Sequence, residues 1–502
     1  MYMKSIRSYA RQVLWPIYGI EHQKFLPLAF MMMCILFNYS LLRSVKDGFI
    51  VTSIGAEALG FLKTCFVLPS AIIATMIYTI LCNHMDSKKV FYVFAGFFIG
   101  YFILFTYVLF PSIESYRISD ATVQGWITAV PRLKWIFRIL QNWTYASFYI
   151  ISELWGSMMV SLFFWQLANE VTRPSEAKRF YSMFGFVGNF GLLLTGYVLT
   201  TFLKQDLEAD AAQQGFMFVL SGLILSALVM VALYAWTQLV VATNPALVDT
   251  AAPGAPKKKK SKPGLAQSFK VILTSRYLGL LTILLVSYGI STILIEGVWK
   301  DRVKALYPTK EAYVAFMGGF QAYQGVAAIL FMLIGTNILR LVNWTTAAIL
   351  TPAMILVTGF FFFLFIFASK GDAAIMSFVA ASDLLFWAVM IGAMQNILSK
   401  ATKYSLFDST QKMAYMPLDD ELKTKGMSAV EVIGGRLGKS GGGFLLSLIF
   451  LIFPSYTFSE ATPILAVLCG LILVMWIYAV KALGREYEAA TKLAEERKAQ
   501  AA

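Results

Sequence analysis

The chain reads as a series of long apolar runs separated by short polar connections. About 20 apolar residues, at 1.5 Å of rise each, cross a bilayer core as a helix. Twelve runs reach that length, at 25–51, 60–83, 90–110, 143–168, 180–203, 215–242, 276–298, 313–339, 344–368, 373–398, 428–453 and 462–482. The pattern predicts an all-α polytopic membrane protein with twelve transmembrane helices. The first run departs from it: FLPLAFMMMCILF is apolar, but NYSLLRSVKDGFIV carries Asn38, Tyr39, Arg43, Lys46 and Asp47 with no turn signal ahead of them. Residues three and four apart share a helix face, so Tyr39, Arg43, Lys46 and Asp47 form one stripe. Charge at bilayer depth is costly and is found facing a watery cavity or a partner. The competing reading puts these charges at the headgroups, or has Arg43 and Lys46 simply pairing with Asp47.

One segment is neither apolar nor periodic. Pro245 to Gly264 contains PGAPKKKKSKPG, a composition that stays flexible and solvated. It separates a first set of six runs (1–242) from a second (276–484), with 243–275 as a basic linker and 485–502 as a mixed-charge tail that reads as a short solvated helix. A repeat supports the division. Gly185–Gly191 is GFVGNFG and Gly435–Gly441 is GRLGKSG, both G-x-x-G-x-x-G opening the fifth run of their set. The same displacement along the chain carries Lys46 onto Glu296. Small residues at this spacing are common where membrane helices pack, but two agreeing displacements and a central linker point to a parallel duplication. That is the plan of major-facilitator-like proteins, whose sites lie near the midplane between halves. Lysine and arginine concentrate in the N-terminus, the even-numbered connections and the tail, which predicts cytoplasmic termini.

Composition agrees. Of 502 residues, 58% are hydrophobic and 14% charged, with mean hydropathy +0.67, outside the soluble range. The net charge of +14 is accounted for by basic loops, so no nucleic-acid partner is expected. Cys34, Cys65, Cys82 and Cys469 lie in or beside apolar runs without metal-ligand spacing and read as packing residues. His22 and His84 sit alone. Neither metal nor cofactor is expected, nor a catalytic residue, and a membrane-embedded transferase would need a His/Asp or metal cluster on a loop. A lipid scramblase is opposed only by the buried charge. The basic start is followed by a run too long and too charged for a cleavable signal, so neither a cleavable signal nor a plastid-type transit sequence is expected.

The second half has its own basic pair, Arg436 and Lys439 in GGRLGKSGGG, at the R-x-x-K spacing of Arg43 and Lys46. Guanidinium offers a planar fork to phosphate oxygens and ammonium a compact point charge. Two such pairs facing one cavity would suit a polyanion. Snorkelling to lipid phosphates is the alternative for Arg436 and Lys439. GGRLGKS resembles a phosphate loop, but position 433 is isoleucine and no strand–loop–helix context surrounds it, so an ATPase is rejected. The buried acids are Glu153, Glu296 and Asp383. Each lines a path, carries a coupling ion or meets a base; Glu296 could pair with Lys300 one turn on, and Asp383 could lie shallow. Asn189, Gln321, Tyr323 and Gln324 are polar positions that interhelical hydrogen bonding explains equally well. In the duplicated register Asn189 matches Lys439.

With these residues assembled, the chain resembles the plastid and intracellular-bacterial ATP/ADP translocase family over nearly its whole length. The resemblance rests on NYSLLRSVKDGFIVTSIGAEALGFLK, SELWGSMMVSLFFWQLANEVT, LIEGVWK, and KATKYSLFDSTQKMAYMPLDDELKTKG running into GRLGKSGG. It implies a twelve-span exchanger that imports ATP for ADP, with or without accompanying phosphate. It also implies functional charges at a first-span lysine, fourth- and seventh-span glutamates and an eleventh-span lysine. These match Lys46, Glu153, Glu296 and Lys439, Lys425 being a poorer match for the last. Relatives with the same motifs import other nucleotides, some with protons, or NAD. The expected setting is a bacterial inner membrane, and a monomer is the expected unit.

Overall fold

The computed structural model describes residues 15–204, 207–248, 274–369 and 381–501. In an apolar surround every backbone N–H and C=O must be satisfied within its own segment, and among the described residues the chain is helical with no strand. Twelve long helices follow the predicted order. They are α1 (His22–Ser53), α2 (Ala58–His84), α3 (Ser87–Leu109), α4 (Trp143–Val171), α5 (Pro174–Phe202) and α6 (Ala209–Val241) in the first set. The second set is α7 (Arg276–Leu306), α8 (Lys310–Leu341), α9 (Trp344–Ser369), α10 (Ala381–Ala414), α11 (Asp420–Ile452) and α12 (Phe458–Ala501). Eleven of them are long and apolar enough to cross a membrane; in α11 the apolar stretch among the described residues is Ser440–Ile452.

Two boundaries differ from expectation. Within the described residues the tenth helix runs from Ala381 to Ala414, past the expected end at 398; the expected start, 373–380, lies outside the described residues. Its last stretch reads as polar in KATKYSLFDST but continues as a π-helical turn, Lys403–Phe407, and a final α segment. The tail is not a separate helix: α12 continues to Ala501, held at its base by Trp344 stacked on Tyr487 at 4.9 Å. Of the linker, 243–275, residues 249–273 lie outside the described residues.

Among the described residues, the connections α2–α3, α4–α5, α8–α9 and α10–α11 share one end of the bundle, the near end; the connections α1–α2, α3–α4, α7–α8 and α11–α12 share the far end. At the near end, Lys24 of α1 reaches Glu176 of α5 at 2.5 Å, and Glu176 also caps α5 by accepting from the Arg173 backbone N–H at 2.9 Å.

The repeated glycine motif plays the same packing role in both halves. A Cβ on Gly188 of α5 would lie 2.7 Å from Leu36 of α1, and one on Gly438 of α11 would lie 3.0 Å from the Leu285 carbonyl oxygen of α7. Each motif thus seats the fifth helix of its half against the first. The first glycine of each, Gly185 and Gly435, meets nothing within 4 Å among the described residues. Gly438→Leu is therefore expected to cost several kcal/mol through backbone collision and Gly435→Ala almost nothing, as read by thermal unfolding of purified protein. Equal melting temperatures would show that the α7–α11 seat is not rigid.

Candidate functional site: an ion-pair chain joining the two halves

The charged stripe of α1 is buried against α4 and α7. Arg43 Nη2 donates to Glu296 Oε1 at 2.7 Å. Lys300, one turn after Glu296, lies 3.0 Å from that oxygen and 2.8 Å from Asp47 Oδ2. Lys46 donates to Asp47 Oδ1 at 3.1 Å and lies 2.8 Å from Glu153 Oε1. The result is one chain of alternating sign, Arg43–Glu296–Lys300–Asp47–Lys46–Glu153, whose charges cancel. Lys46 also sits 3.9 Å above the Tyr149 ring, a favourable position for a desolvated cation.

Exposure is least in the middle of this chain and greatest at its Glu153 end. The side chains of Asp47 and Lys300 are 1% and 3% exposed, whereas Glu153 is 33% exposed. Glu153 therefore faces open space, as do Tyr39 (40%) and Tyr404 (50%), which lie within electrostatic range of one another across the two halves. Two of the links, Arg43–Glu296 and Asp47–Lys300, run between halves. A buried pair stripped of one partner leaves an uncompensated charge worth about 3–5 kcal/mol, so these links resist separation of α1 from α7.

Backbone contact shuts the far end above them. A Cβ on Gly60 of α2 would lie 3.0 Å from the Gly443 carbonyl oxygen of α11, and one on Gly196 of α5 would lie 2.9 Å from the Gly318 carbonyl oxygen of α8. At the helix ends there, Lys310 donates to the Tyr145 hydroxyl at 2.8 Å, and the Phe458 backbone N–H donates to Glu57 in the α1–α2 connection at 3.0 Å. Burial pushes the Glu57 carboxyl above its ordinary range, Asp301 adding to the rise while hydrogen bonds and Lys304 oppose it. A group with a higher pKa in the shut state binds its proton more tightly there. Falling pH through the window above its ordinary value of ~4.3 should thus favour the shut far end. Glu57→Gln should flatten the acid limb of the transport pH profile; an unaltered limb would remove Glu57 as its origin.

The predicted residues are not all brought together. Arg43, Lys46, Glu153 and Glu296 are in one cluster. Asn189 lies at the α5–α8 contact, buried, its amide donating to the Gly185 carbonyl at 2.8 Å, with its backbone oxygen beside Gly325. Arg436 and Lys439 lie on α11 in mid-helix, which excludes a phosphate loop; their side chains, and that of Lys425, are outside the described residues. Asp383 is exposed in the first turn of α10. Gln324 accepts from Lys400 at 3.0 Å. Sequence reasoning treated Asp47 and Lys300 only as partners of other charges and missed Lys400. Predicting the tenth span as 373–398 left Lys400 just outside it. A structural regularity marks it instead: a π-helical stretch begins three residues after Glu153 in α4 (Gly156) and three after Lys400 in α10 (Lys403). Such widened turns recur at functional positions.

Over residues 3–487 the chain matches the family described as TLC ATP/ADP transporter. It is 52% identical over 477 residues to ADP,ATP carrier protein 1 of Rickettsia conorii, covering 95% of this chain and 96% of that protein. It is 40% identical over 491 residues to ADP,ATP carrier protein 3 of Rickettsia prowazekii, covering 95% and 97%. Among solved structures it resembles a bacterial homologue of the iron transporter ferroportin in an inward-facing state, at TM-score 0.56 and 13% identity, over 93% of this chain and 100% of that one. It also resembles the xylose transporter XylE of E. coli in a partially occluded inward-open conformation, at TM-score 0.53 and 11% identity, over 91% and 96%. At these identities the structural likeness bears on the fold, which is major-facilitator-like.

Proposed function

The chain belongs to the TLC ATP/ADP transporter family, and from that premise we propose that it imports ATP in exchange for ADP by alternating access. The observation that carries the mechanism is the pair of links between halves, Arg43–Glu296 and Asp47–Lys300. Opening the far end must pull α1 from α7 and break both. In an empty carrier this bares charges in a poorly solvated cavity, at a cost of several kcal/mol. A bound polyphosphate replaces Glu296 as the partner of Arg43 and supports Lys46, while Glu296 and Glu153 are left to compete for the remaining cations. Arg436 and Lys439 act as the matching phosphate ligands from α11, and Asn189 acts on coupling through the α5–α8 contact. Switching is then permitted when loaded and hindered when empty, which is exchange rather than leak.

The setting proposed is a bacterial inner membrane with both termini cytoplasmic, so that the shut far end faces outward and nucleotide enters the site from the cytoplasm. One chain carries both halves and hence the whole site, supporting a functional monomer embedded in lipid.

Proteoliposomes loaded with ADP should take up labelled ATP, and empty ones should not; equal uptake with and without internal ADP would overturn obligatory exchange. A second reading has one specific support, the exposed end of the chain at Glu153, where a proton could ride in place of a counter-nucleotide. In that case uptake into empty liposomes would follow an imposed pH gradient.

A further inference from the structure

The ion-pair chain is neutral, yet the space around it is not. Among the described residues, Lys63 of α2 and Lys400 of α10 have no carboxylate within 4 Å, unlike Arg43, Lys46 and Lys300. Both nonetheless lie within electrostatic range of Glu296 and Lys300. Lys63 lines one small cavity with Glu296, Lys300 and Gly443. Lys400 is held by α8, its ammonium donating to Gln324 at 3.0 Å and standing 5.8 Å over the Phe320 ring. A lysine placed inside a membrane bundle without a counter-charge is unfavourable, and two of them, one from each half beside a neutral chain, offer positive charge that no carboxylate offsets.

We propose that Lys63 and Lys400 are the docking pair for the phosphate chain of the transported nucleotide. The inference rests on the exchange reading above and refines it: the phosphates first meet the two cations that have no carboxylate to give up, and only then displace Glu296 from Arg43. An anion arriving at Arg43 or Lys46 directly would have to break a buried pair to bind, whereas at Lys63 and Lys400 it compensates charge that is already bare. Two ammonium groups, each with three donors, can hold neighbouring phosphates of one chain. The backbone favours such an arrangement, because Lys63 lies within the π-helical stretch Leu62–Val67 and Lys400 shortly precedes another. Gly443 faces the Lys63 Cβ at 3.5 Å from where its own Cβ would be, so no side chain at that position of α11 covers this lysine.

The test is a binding ladder on the full purified chain, with ATP, ADP, AMP and pyrophosphate competed against labelled ATP. For wild type, affinity should rise with the number of phosphates. Lys63→Gln and Lys400→Gln should each weaken ATP and ADP by about tenfold or more, the loss of one charged hydrogen bond, and leave AMP within about twofold. Lys63→Arg and Lys400→Arg should restore most of the loss. Pyrophosphate should compete in wild type and lose potency in both Gln variants if the phosphate chain alone docks there. Pyrophosphate that does not compete would show that the whole nucleotide is required, and would overturn docking by phosphate alone. Equal losses on ATP, ADP and AMP, or unchanged ATP binding in variants that still insert and fold, would overturn the pair while leaving exchange standing. A wild type that shows no ATP/ADP exchange would overturn the functional reading and the pair with it.

Discussion

Lys46→Ala will abolish exchange while leaving the protein in the membrane. Among the described residues, Lys46 is the one cation that touches both Asp47 and Glu153. Its removal leaves Asp47 with Lys300 alone and Glu153 with no described cation within 4 Å. Asp47 is 1% exposed, so its surplus charge cannot be relieved by water. Breaking such a pair costs about 3–5 kcal/mol, and about 2.7 kcal/mol placed on the switching barrier slows it a hundredfold. Labelled ATP uptake into ADP-loaded proteoliposomes should accordingly fall to about 1% of wild type or below, with membrane levels on a blot unchanged. Wild-type uptake by this variant would show that the chain of pairs has no part in transport.

Gly196→Leu will hold the far end open. A Cβ at this position would lie 2.5 Å from the Ala322 Cβ and 2.9 Å from the Gly318 carbonyl oxygen. One of those obstacles is backbone, so no rotamer change accommodates it. The shut state loses the α5–α8 contact, and the carrier is confined to its other state, which binds nucleotide from one face and cannot pass it on. Exchange should drop about a hundredfold, as expected when one state becomes several kcal/mol less accessible. Ser447, buried beside Gly60, reports the gate: in a background without the native cysteines, Ser447→Cys should react with a thiol reagent added to the far side only when Gly196→Leu is also present. Normal exchange in the double variant, with its introduced thiol unreactive, would mean that α5 and α8 part and rejoin around the larger side chain.

Helix number, order and type were legible because twelve apolar runs of bilayer length allow little else, and the two-half plan was legible in the glycine repeat. Hydropathy alone ended α10 too early, since its second part is polar yet helical, and that early end hid Lys400. The repeat identified a small-residue face on α5 and α11 but could not say whether helix or ligand fills it; at Gly188 and Gly438 it is the first helix of the same half. Arg43, Lys46, Glu153 and Glu296 were each visible as charge inside an apolar run. Their connection was not. Helical periodicity fixes the direction of a side chain about its own axis, whereas pairing Arg43 with Glu296 depends on how α1 and α7 are rotated and shifted against each other. That is why Asp47 and Lys300, at the centre of the chain, looked like mere partners.

The glycine lining of the far gate has a thermodynamic consequence. Where Gly60 meets Gly443 and Gly196 meets Gly318, closing the gate immobilises almost no rotamers: glycine has no side-chain entropy to lose, whereas ordering a lysine or arginine costs about 1.5–2 kcal/mol. At these two crossings closure and opening therefore differ little in conformational entropy, and the balance between states is left to the charges beneath them and to the Lys310–Tyr145 and Glu57–Phe458 contacts. A shallow balance suits a carrier that must run both ways. Shifting two states from 1:99 to 99:1 takes only about 5.5 kcal/mol of differential binding, within reach of one polyphosphate exchanging partners with Glu296. A gate of interlocking large side chains would have demanded more, because each closure would also have to order their rotamers.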